Sequence, residues 1–211
     1  MLRIIIADDH PVVLKGLKEI IVEHFDDVTI DTSSRGYELL NKIDNNDYDI
    51  VLLDISLPDI NGLEVLREIK KKKPKLLVLV LSMYPEEQYA ARALKAGANG
   101  YLTKRSASDE LVLAVHKILS GKRYISPAFA EKMMLDFESD TGKPPHEDLS
   151  DRELQVLCMM GKGKAVKEIA GELHLSPNTI RTYRTRILEK IGVKGTSELI
   201  HYAITHSLTE Q

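Results

Sequence analysis

Asp54 ends an apolar run, Ile50-Val51-Leu52-Leu53, and is followed by Ile55-Ser56-Leu57-Pro58. A carboxylate at the mouth of a buried strand is costly unless something there uses its charge. Three other apolar runs end in groups that could use it. Asp8 and Asp9 follow Leu2-Arg3-Ile4-Ile5-Ile6-Ala7, Ser82 follows Leu76-Leu77-Val78-Leu79-Val80-Leu81, and Lys104 follows Gly100-Tyr101-Leu102-Thr103. In an open parallel α/β sheet the carboxyl ends of the strands share one edge, and such sheets build their sites there. Acids, a hydroxyl and a lysine on that edge suit a Mg²⁺-assisted phosphoryl-accepting site. Carboxylates are the oxygen ligands that Mg²⁺ takes, a carboxylate can act as a nucleophile, and a lysine offers a point charge to phosphoryl oxygens.

Each of these residues alone has an ordinary reading. Asp8 and Asp9 could simply precede and cap a helix, Lys104 could be a solvated lysine, Ser82 a strand-end hydroxyl, and Tyr101 half-buried packing. Their joint occurrence at strand ends is what points to chemistry. His10 adjoins the acids, but Mg²⁺ prefers oxygen, so His10 is expected to flank the site and not to ligate. The chain has no GxxxxGK[ST] and no GxGxxG pattern, so nucleotide binding is unsupported.

The elements that must position these groups can be read from periodicity. Apolar runs at 2–7, 28–31, 49–54, 76–82 and 100–103 alternate with amphipathic segments near 11–24, 36–45, 62–72, 86–96 and 107–120. That alternation predicts a five-stranded parallel sheet with right-handed crossovers. The third and fourth strands are continuously apolar, as strands covered on both faces are; the second is the most polar and is expected at an edge. Pro11 suits a first helical position, and Gly97 suits the left-handed residue after the fourth helix.

Three segments are expected: 1–120 as the α/β domain, 121–148 as a linker with a short helix, and 149–211 as an all-helical domain. In the linker, Ser126-Pro127 starts a short amphipathic helix with Phe129, Met133, Met134 and Phe137, and a polar run with Gly142, Pro144 and Pro145 follows over 138–148. In the tail, Ser150 and Glu153 form a capping box, and a helix follows to about Met160. Further helices are expected at 165–173, at 177–191 with Ser176 as cap and Gly192 as stop, and at 196–206 capped by Thr196 or Ser197.

Composition sets limits on this reading. The 211 residues are 43% hydrophobic and 29% charged, and the lone Cys158, in an apolar helical stretch, is expected to be a core residue. No apolar run approaches the roughly 18 residues that span a bilayer, and the N-terminus enters a strand pattern without a leader signature, so cytoplasmic residence without membrane attachment is expected. Residues 149–211 hold 9 Lys/Arg against 7 Asp/Glu, net +2, and the remainder 20 against 25, net −5. A locally basic tail behind an acidic front is weak support for nucleic acid at the tail.

With these residues in place, positions 1–120 resemble a response-regulator receiver domain of the flavodoxin-like fold, through Asp8-Asp9, the stretch from Asp54 through Pro58 to Gly62, Ser82, and Lys104 after Tyr101. The resemblance implies that Asp54 is the phosphoacceptor and that Mg²⁺ is held by Asp9, Asp8, Asp54 and the backbone carbonyl of Ser56. It implies that Ser82 and Lys104 contact the phosphoryl oxygens and that Tyr101 is the aromatic that changes rotamer. The tail resembles the LuxR-type helix-turn-helix of NarL/FixJ response regulators, through Leu149 to Glu153, Lys167-Glu168-Ile169-Ala170, Leu175 to Arg181 and Ile187 to Val193. A sensor histidine kinase, double-stranded DNA and a homodimer formed on activation are the implied partners.

In the expected recognition helix, Ile180, Tyr183, Ile187 and Ile191 recur at three and four and should face the core. Arg181, Thr182 and Thr185 are then expected at base edges, and Arg184, Arg186, Lys190 and Lys194 at phosphates. The turn before the scaffold helix reads Gly163-Lys164-Ala165-Val166, where a small polar pair is usual. That weakens any phosphate contact there unless Lys164 substitutes. Glu168 is expected to support the fold. A phosphohydrolase reading is disfavoured because the position two after Asp54, where such enzymes usually carry a second acid, is Ser56.

Overall fold

The computed structural model describes residues 1–138 and 144–209 and, over 135–138, the backbone alone. The chain divides into two compact units, Met1–Leu135 and Asp136–Gln211.

The first unit is a parallel five-stranded sheet in the order β2-β1-β3-β4-β5. Its elements are β1 Leu2–Ala7, α1 Pro11–His24, β2 Val28–Ser33, α2 Gly36–Asn45, β3 Ile50–Asp54, α3 Gly62–Lys72, β4 Leu77–Ser82, α4 Glu86–Lys95, β5 Gly100–Thr103 and α5 Ala107–Leu119. As its polarity suggested, β2 is an edge strand. It runs two residues past the expected end because Thr32 and Ser33 keep register with Ile6 and Ala7. Ile50 to Asp54 are all fully buried, which fits a central strand covered on both sides. One face packs Ile4, Ile6, Leu52, Leu79 and Leu81 against Leu17 and Ile21 of α1 and Leu111, Val115 and Ile118 of α5.

The register gathers the strand ends. Ala7 lies opposite Leu53, Asp54 opposite Leu81, and Ser82 opposite Thr103, so the residues just past β1, β3, β4 and β5 share one edge. The Lys104 N–H donates to the Ser82 carbonyl at 2.7 Å and ties the last two ends together. Pro11 opens α1. The left-handed residues Gly97 (φ 102°) and Gly192 (φ 80°) stop their helices as expected.

After α5 the chain turns at Gly121 and returns beside β5, bridging Gly100 through Tyr124, and α6 follows at Pro127–Glu138. Phe129 of α6 is buried and Met134 is 71% exposed; the Phe137 side chain lies outside the described residues. Part of the expected polar linker is ordered, since Pro145–Asp148 is a short 3-10 turn, while residues 139–143 lie outside the described set.

The second unit holds α7 Asp151–Gly161, α8 Val166–Glu172, α9 Pro177–Ile191 and α10 Thr196–Thr205. The Ser150–Glu153 capping box is formed. At α10 the cap position is Gly195, not Thr196 or Ser197, because Glu198 reaches back to accept from the Lys194 N–H at 2.9 Å and satisfies the entry in place of a hydroxyl. Among the described residues, no helix is long and apolar enough to cross a membrane.

Gly62 opens α3 directly behind the acidic strand end. A Cβ there would sit 2.1 Å from the Asp54 carbonyl oxygen and 2.7 Å from the Ile55 Cα, both backbone atoms that cannot swing aside. Gly62→Ala is therefore expected to cost about 3 kcal/mol or more, while Gly16→Ala, with nothing within 4 Å, should be neutral or stabilise by up to about 1 kcal/mol. Urea denaturation of both variants checks this; equal midpoints would overturn the packing argument.

Candidate functional site

Strand geometry accounts for the first site. Asp8 and Asp54 are each 1% exposed and Ser82 is fully buried. Lys104 Nζ lies 2.6 Å from Asp8 Oδ2 and 2.8 Å from Asp54 Oδ2. Asp54 Oδ1 is buried with no hydrogen-bond partner. Asp9 is partly exposed beside them, with His10 Nδ1 2.7 Å from its Oδ1 and 3.1 Å from Asp8 Oδ1. Donor atoms of Asp8, Asp9, His10 and Asp54 all lie within 4.8 Å of one another, close enough to share one ion. His10 thus stands nearer the donors than a merely flanking residue needs to, although its ring is 61% exposed. The oxygen-rich set still favours a hard cation.

Charge is undercompensated here, because one ammonium faces two buried carboxylates and a third nearby. Burial raises the Asp54 carboxyl, Lys104 pulls it down and Asp8 pushes it up again, and the balance leaves it at about 6. Burial also works against the Lys104 charge, but Asp54 and Asp8 outweigh it and hold the ammonium above its ordinary range. A cation or an added ligand charge balance is what such a cluster accepts.

The switch residues predicted from the sequence are both present at this edge, in a specific arrangement. Ser82 Oγ accepts from the Tyr84 N–H at 3.1 Å, and the Tyr101 hydroxyl donates to the Tyr84 carbonyl at 2.8 Å. Tyr101 is fully buried, more than the half-buried packing its type alone suggests, and burial drives its phenol well above the usual range. Tyr84 was missed by sequence reasoning because it acts through backbone atoms; its ring stacks on Tyr89 with centroids 4.7 Å apart. Asn61 was also missed: fully buried, it caps α3 by accepting from the Leu63 N–H at 2.9 Å and shapes the loop behind Asp54. Ser56 lies just beyond Asp54 in that same loop.

The second site is the outer face of α9. Ile180, Ile187 and Ile191 are buried, as their spacing predicted, and Tyr183 is half-buried. Arg181, Thr182, Thr185, Arg186 and Lys194 are exposed and Arg184 is half-buried. Asn178, another residue not foreseen, accepts from the Arg181 guanidinium at 2.7 Å. The hydroxyls of Thr182 and Thr185 donate to the carbonyls of Asn178 and Arg181 four residues back, at 3.1 and 3.2 Å. What these threonines offer outward is then an acceptor lone pair and a methyl group.

Lys190 has a partner within the domain. Its ammonium lies 2.7 Å from Glu153 Oε2, the same oxygen that accepts from the Ser150 N–H. Standing beside Ile187 and Ile191, it is turned toward α7, and its side chain keeps 41% exposure, so a DNA phosphate there would compete with Glu153. Lys164 is likewise paired, 2.5 Å from Glu172 Oε2. Glu168 accepts from the Ala165 N–H at 2.6 Å, the supporting role expected of it.

Comparison with known proteins identifies both domains. Residues 4–116 match the model of the response regulator receiver domain, and residues 147–203 that of bacterial regulatory proteins of the luxR family. The chain is 36% identical over 209 residues to the response regulator UvrY of Escherichia coli K12, covering 99% of this chain and 96% of that protein. It is 33% identical to the oxygen regulatory protein NreC of Staphylococcus carnosus, covering 99% and 100%. Among solved structures, RcsB of Salmonella enterica serovar Typhimurium bound to promoter rprA in the presence of the phosphomimetic BeF3- aligns with a TM-score of 0.65 at 27% identity, covering 97% of this chain and 100% of that one. A structure of two RcsB dimers bound to two parallel DNAs aligns at 0.59 and 26%, covering 97% and 98%. The chain belongs to the response regulators of the NarL/FixJ type, in which a receiver domain is followed by a luxR-type regulatory domain.

Proposed function

We propose that Asp54 accepts a phosphoryl group from the phosphohistidine of a sensor histidine kinase, and that this modification gates DNA binding by the second unit. The carrying observation is the arrangement of Lys104 across Asp8 and Asp54 with Asp54 Oδ1 left unpartnered. A carboxylate oxygen of Asp54 forms the new P–O bond as the P–N bond of the donor breaks, and the leaving imidazole takes up a proton. Lys104 exchanges part of its contact with Asp54 for phosphoryl oxygens, and Ser82 Oγ turns to the same oxygens.

The oxygen-rich donor set and the orphaned Asp54 Oδ1 fit Mg²⁺, held by Asp8, Asp9, Asp54 and the Ser56 carbonyl. When bound, Mg²⁺ offsets the repulsion among the acids and the charge of the incoming group. The chain works in the cytoplasm and turns over no external substrate; its chemistry is limited to its own phosphorylation and slow dephosphorylation.

Turning Ser82 inward removes the acceptor of the Tyr84 N–H, and the shift of that loop frees Tyr101 to change rotamer. The altered surface favours a homodimer, and two copies of the basic helix face then engage paired half-sites on double-stranded DNA. Arg181, Thr182 and Thr185 read base edges, and Arg184, Arg186 and Lys194 hold phosphates, joined by Lys190 where a phosphate displaces Glu153. The DNA-bound RcsB dimers support this reading by likeness.

In metal-free buffer at pH 7 the undercompensated site predicts opposite responses. Asp54→Asn removes a desolvated charge and should stabilise the fold by roughly 1–3 kcal/mol, in line with a carboxyl raised from 3.8 to about 6. A carboxyl raised in this way lowers stability as pH climbs through that window and leaves it lowered above. Lys104→Ala strands the acids and should cost about 3–5 kcal/mol, part of which millimolar Mg²⁺ restores. Urea titrations in EDTA and in MgCl₂ measure both; a destabilised Asp54→Asn together with no response to Mg²⁺ would remove the basis for the site.

Binding-site selection with and without beryllofluoride tests the gate and yields the target sequence. Beryllofluoride with Mg²⁺ should tighten DNA binding of the wild type and leave Asp54→Asn unchanged; equal stimulation of both would sink the assignment.

On the selected DNA, Arg181→Ala should weaken binding by about 1–3 kcal/mol and relax preference at one guanine. Arg186→Ala should weaken all sequences alike and reduce the salt slope by about 1. Fluorescence anisotropy across a salt series separates the two, and a uniform loss for Arg181→Ala would move that residue to the backbone contacts.

A further inference from the structure

The start of α6 is fastened to β5, which carries Tyr101, and to the first residue of α4, four positions beyond Ser82. The Tyr101 N–H donates to the Tyr124 carbonyl at 3.1 Å, and the Tyr124 N–H donates to the Asn99 carbonyl at 2.9 Å, so residue 124 extends the sheet beyond β5. The Tyr124 hydroxyl donates to Glu110 of α5, and its ring is buried. Two residues on, Ser126 meets Glu86, the first residue of α4. The Ser126 N–H donates to Glu86 Oε1 at 3.2 Å, and the Ser126 hydroxyl donates to Glu86 Oε2. Ser126 Oγ also accepts from the Phe129 N–H at 3.1 Å, and its carbonyl accepts from the Ala130 N–H at 3.0 Å, so the residue gripped by Glu86 is also the N-cap of α6.

The grip is local to the switch. Glu86 lies two residues beyond Tyr84, whose N–H and carbonyl hold Ser82 and Tyr101. A side chain that uses both carboxylate oxygens on one residue 40 positions away is a specific contact, since either end lost leaves the other a half-buried, poorly solvated group.

From this geometry we infer that the Glu86–Ser126 contact is a latch that holds the first turn of α6 against the resting receiver and lets go when Asp54 is phosphorylated. The inference rests on the phosphoacceptor reading above. Movement of Ser82 toward the phosphoryl group takes the acceptor away from the Tyr84 N–H, and the released Tyr84-Pro85 loop shifts the first turn of α4. Glu86 then no longer faces both donors of Ser126. The anchor at Tyr124 stays on β5, so the freed element is the capped first turn of α6.

The test uses full-length protein and amide hydrogen exchange with and without beryllofluoride and Mg²⁺. Residues 82–86 report whether the activating ligand has engaged, and the Phe129 and Ala130 amides report the latch. In the wild type, beryllofluoride should speed exchange at Phe129 and Ala130 by about threefold or more, on the scale of a local opening. Two nearly isosteric substitutions separate latching from capping, because both cap a helix well. Ser126→Asn can still donate to Glu86 and should behave as wild type. Ser126→Asp sets carboxylate against carboxylate and should exchange as fast without beryllofluoride as the wild type does with it. It should also bind the selected DNA several-fold more tightly than the unactivated wild type.

If residues 82–86 respond to beryllofluoride while Phe129 and Ala130 do not, the latch is wrong and the phosphoacceptor reading stands. If neither segment responds, both fall. If Ser126→Asp and Ser126→Asn are indistinguishable, Glu86 is not the holding group and the inference is overturned.

Discussion

One ammonium between two buried carboxylates is the constraint on which the receiver's active edge depends. Lys104 approaches Asp8 and Asp54 at 2.6 and 2.8 Å. Burying either acid without it would leave an uncompensated charge in a low-dielectric setting, a cost of several kcal/mol. The rest of the edge keeps this triad in place. The register sets Ala7 opposite Leu53, so the acids that follow β1 and the one that ends β3 emerge side by side. The Lys104 backbone is pinned to Ser82 across the last strand pair. Gly62 lets α3 begin against the Asp54 backbone, closing the loop that carries Ser56 and Asn61.

The compensation is incomplete, and the proposed phosphoryl transfer draws on this imbalance. Two buried acids, with Asp9 beside them, exceed the single charge of Lys104, so the cluster gains from a divalent cation. On that reading it then accepts a phosphoryl group without a large rearrangement of charge. On the proposed reading, what moves is small and neutral: the Ser82 hydroxyl, which accepts from Tyr84, and the Tyr101 phenol, which donates to the Tyr84 carbonyl and meets the Ser82 side chain. One peptide segment thus serves both switch residues, and α4 begins two residues beyond it.

Much of this edge could be read from the chain because it breaks local rules. Charges that end apolar strands demand an explanation, and Asp54 and Lys104 stand out for that reason. The alternation of strands and helices, the edge position of β2 and the buried stripe of α9 followed from periodicity in the same way. What could not be read depends on where the backbone goes. Tyr84 works through main-chain atoms that every residue has. Gly62 looks like any helix-opening glycine until its distance to Asp54 is known. Glu86 and Ser126 are unremarkable residues 40 positions apart, joined only because the chain doubles back along β5 at Tyr124. For Lys190 the residue type was informative and its direction was not. Its position beside Ile191 turns it toward Glu153, where a capping carboxylate claims it.

The strength of these contacts bounds how tightly the device can hold its resting state. The bonds through Tyr84 are neutral and together contribute on the order of 2 kcal/mol, and a charge-assisted pair such as Glu86 with Ser126 adds roughly 1.5–3 kcal/mol. A difference of about 3–5 kcal/mol between the two states amounts to a population shift of roughly two to four powers of ten. A phosphoryl group can supply that through its contacts with Lys104 and Ser82 alone. Much weaker contacts would leave Tyr101 free to leave its buried site without a signal. On the proposed reading, the resting geometry fits a receiver whose output is graded by a few exchangeable hydrogen bonds, with the acidic cluster providing the driving force and the proposed latch from Ser82 to Glu86 limiting how much of it reaches α6.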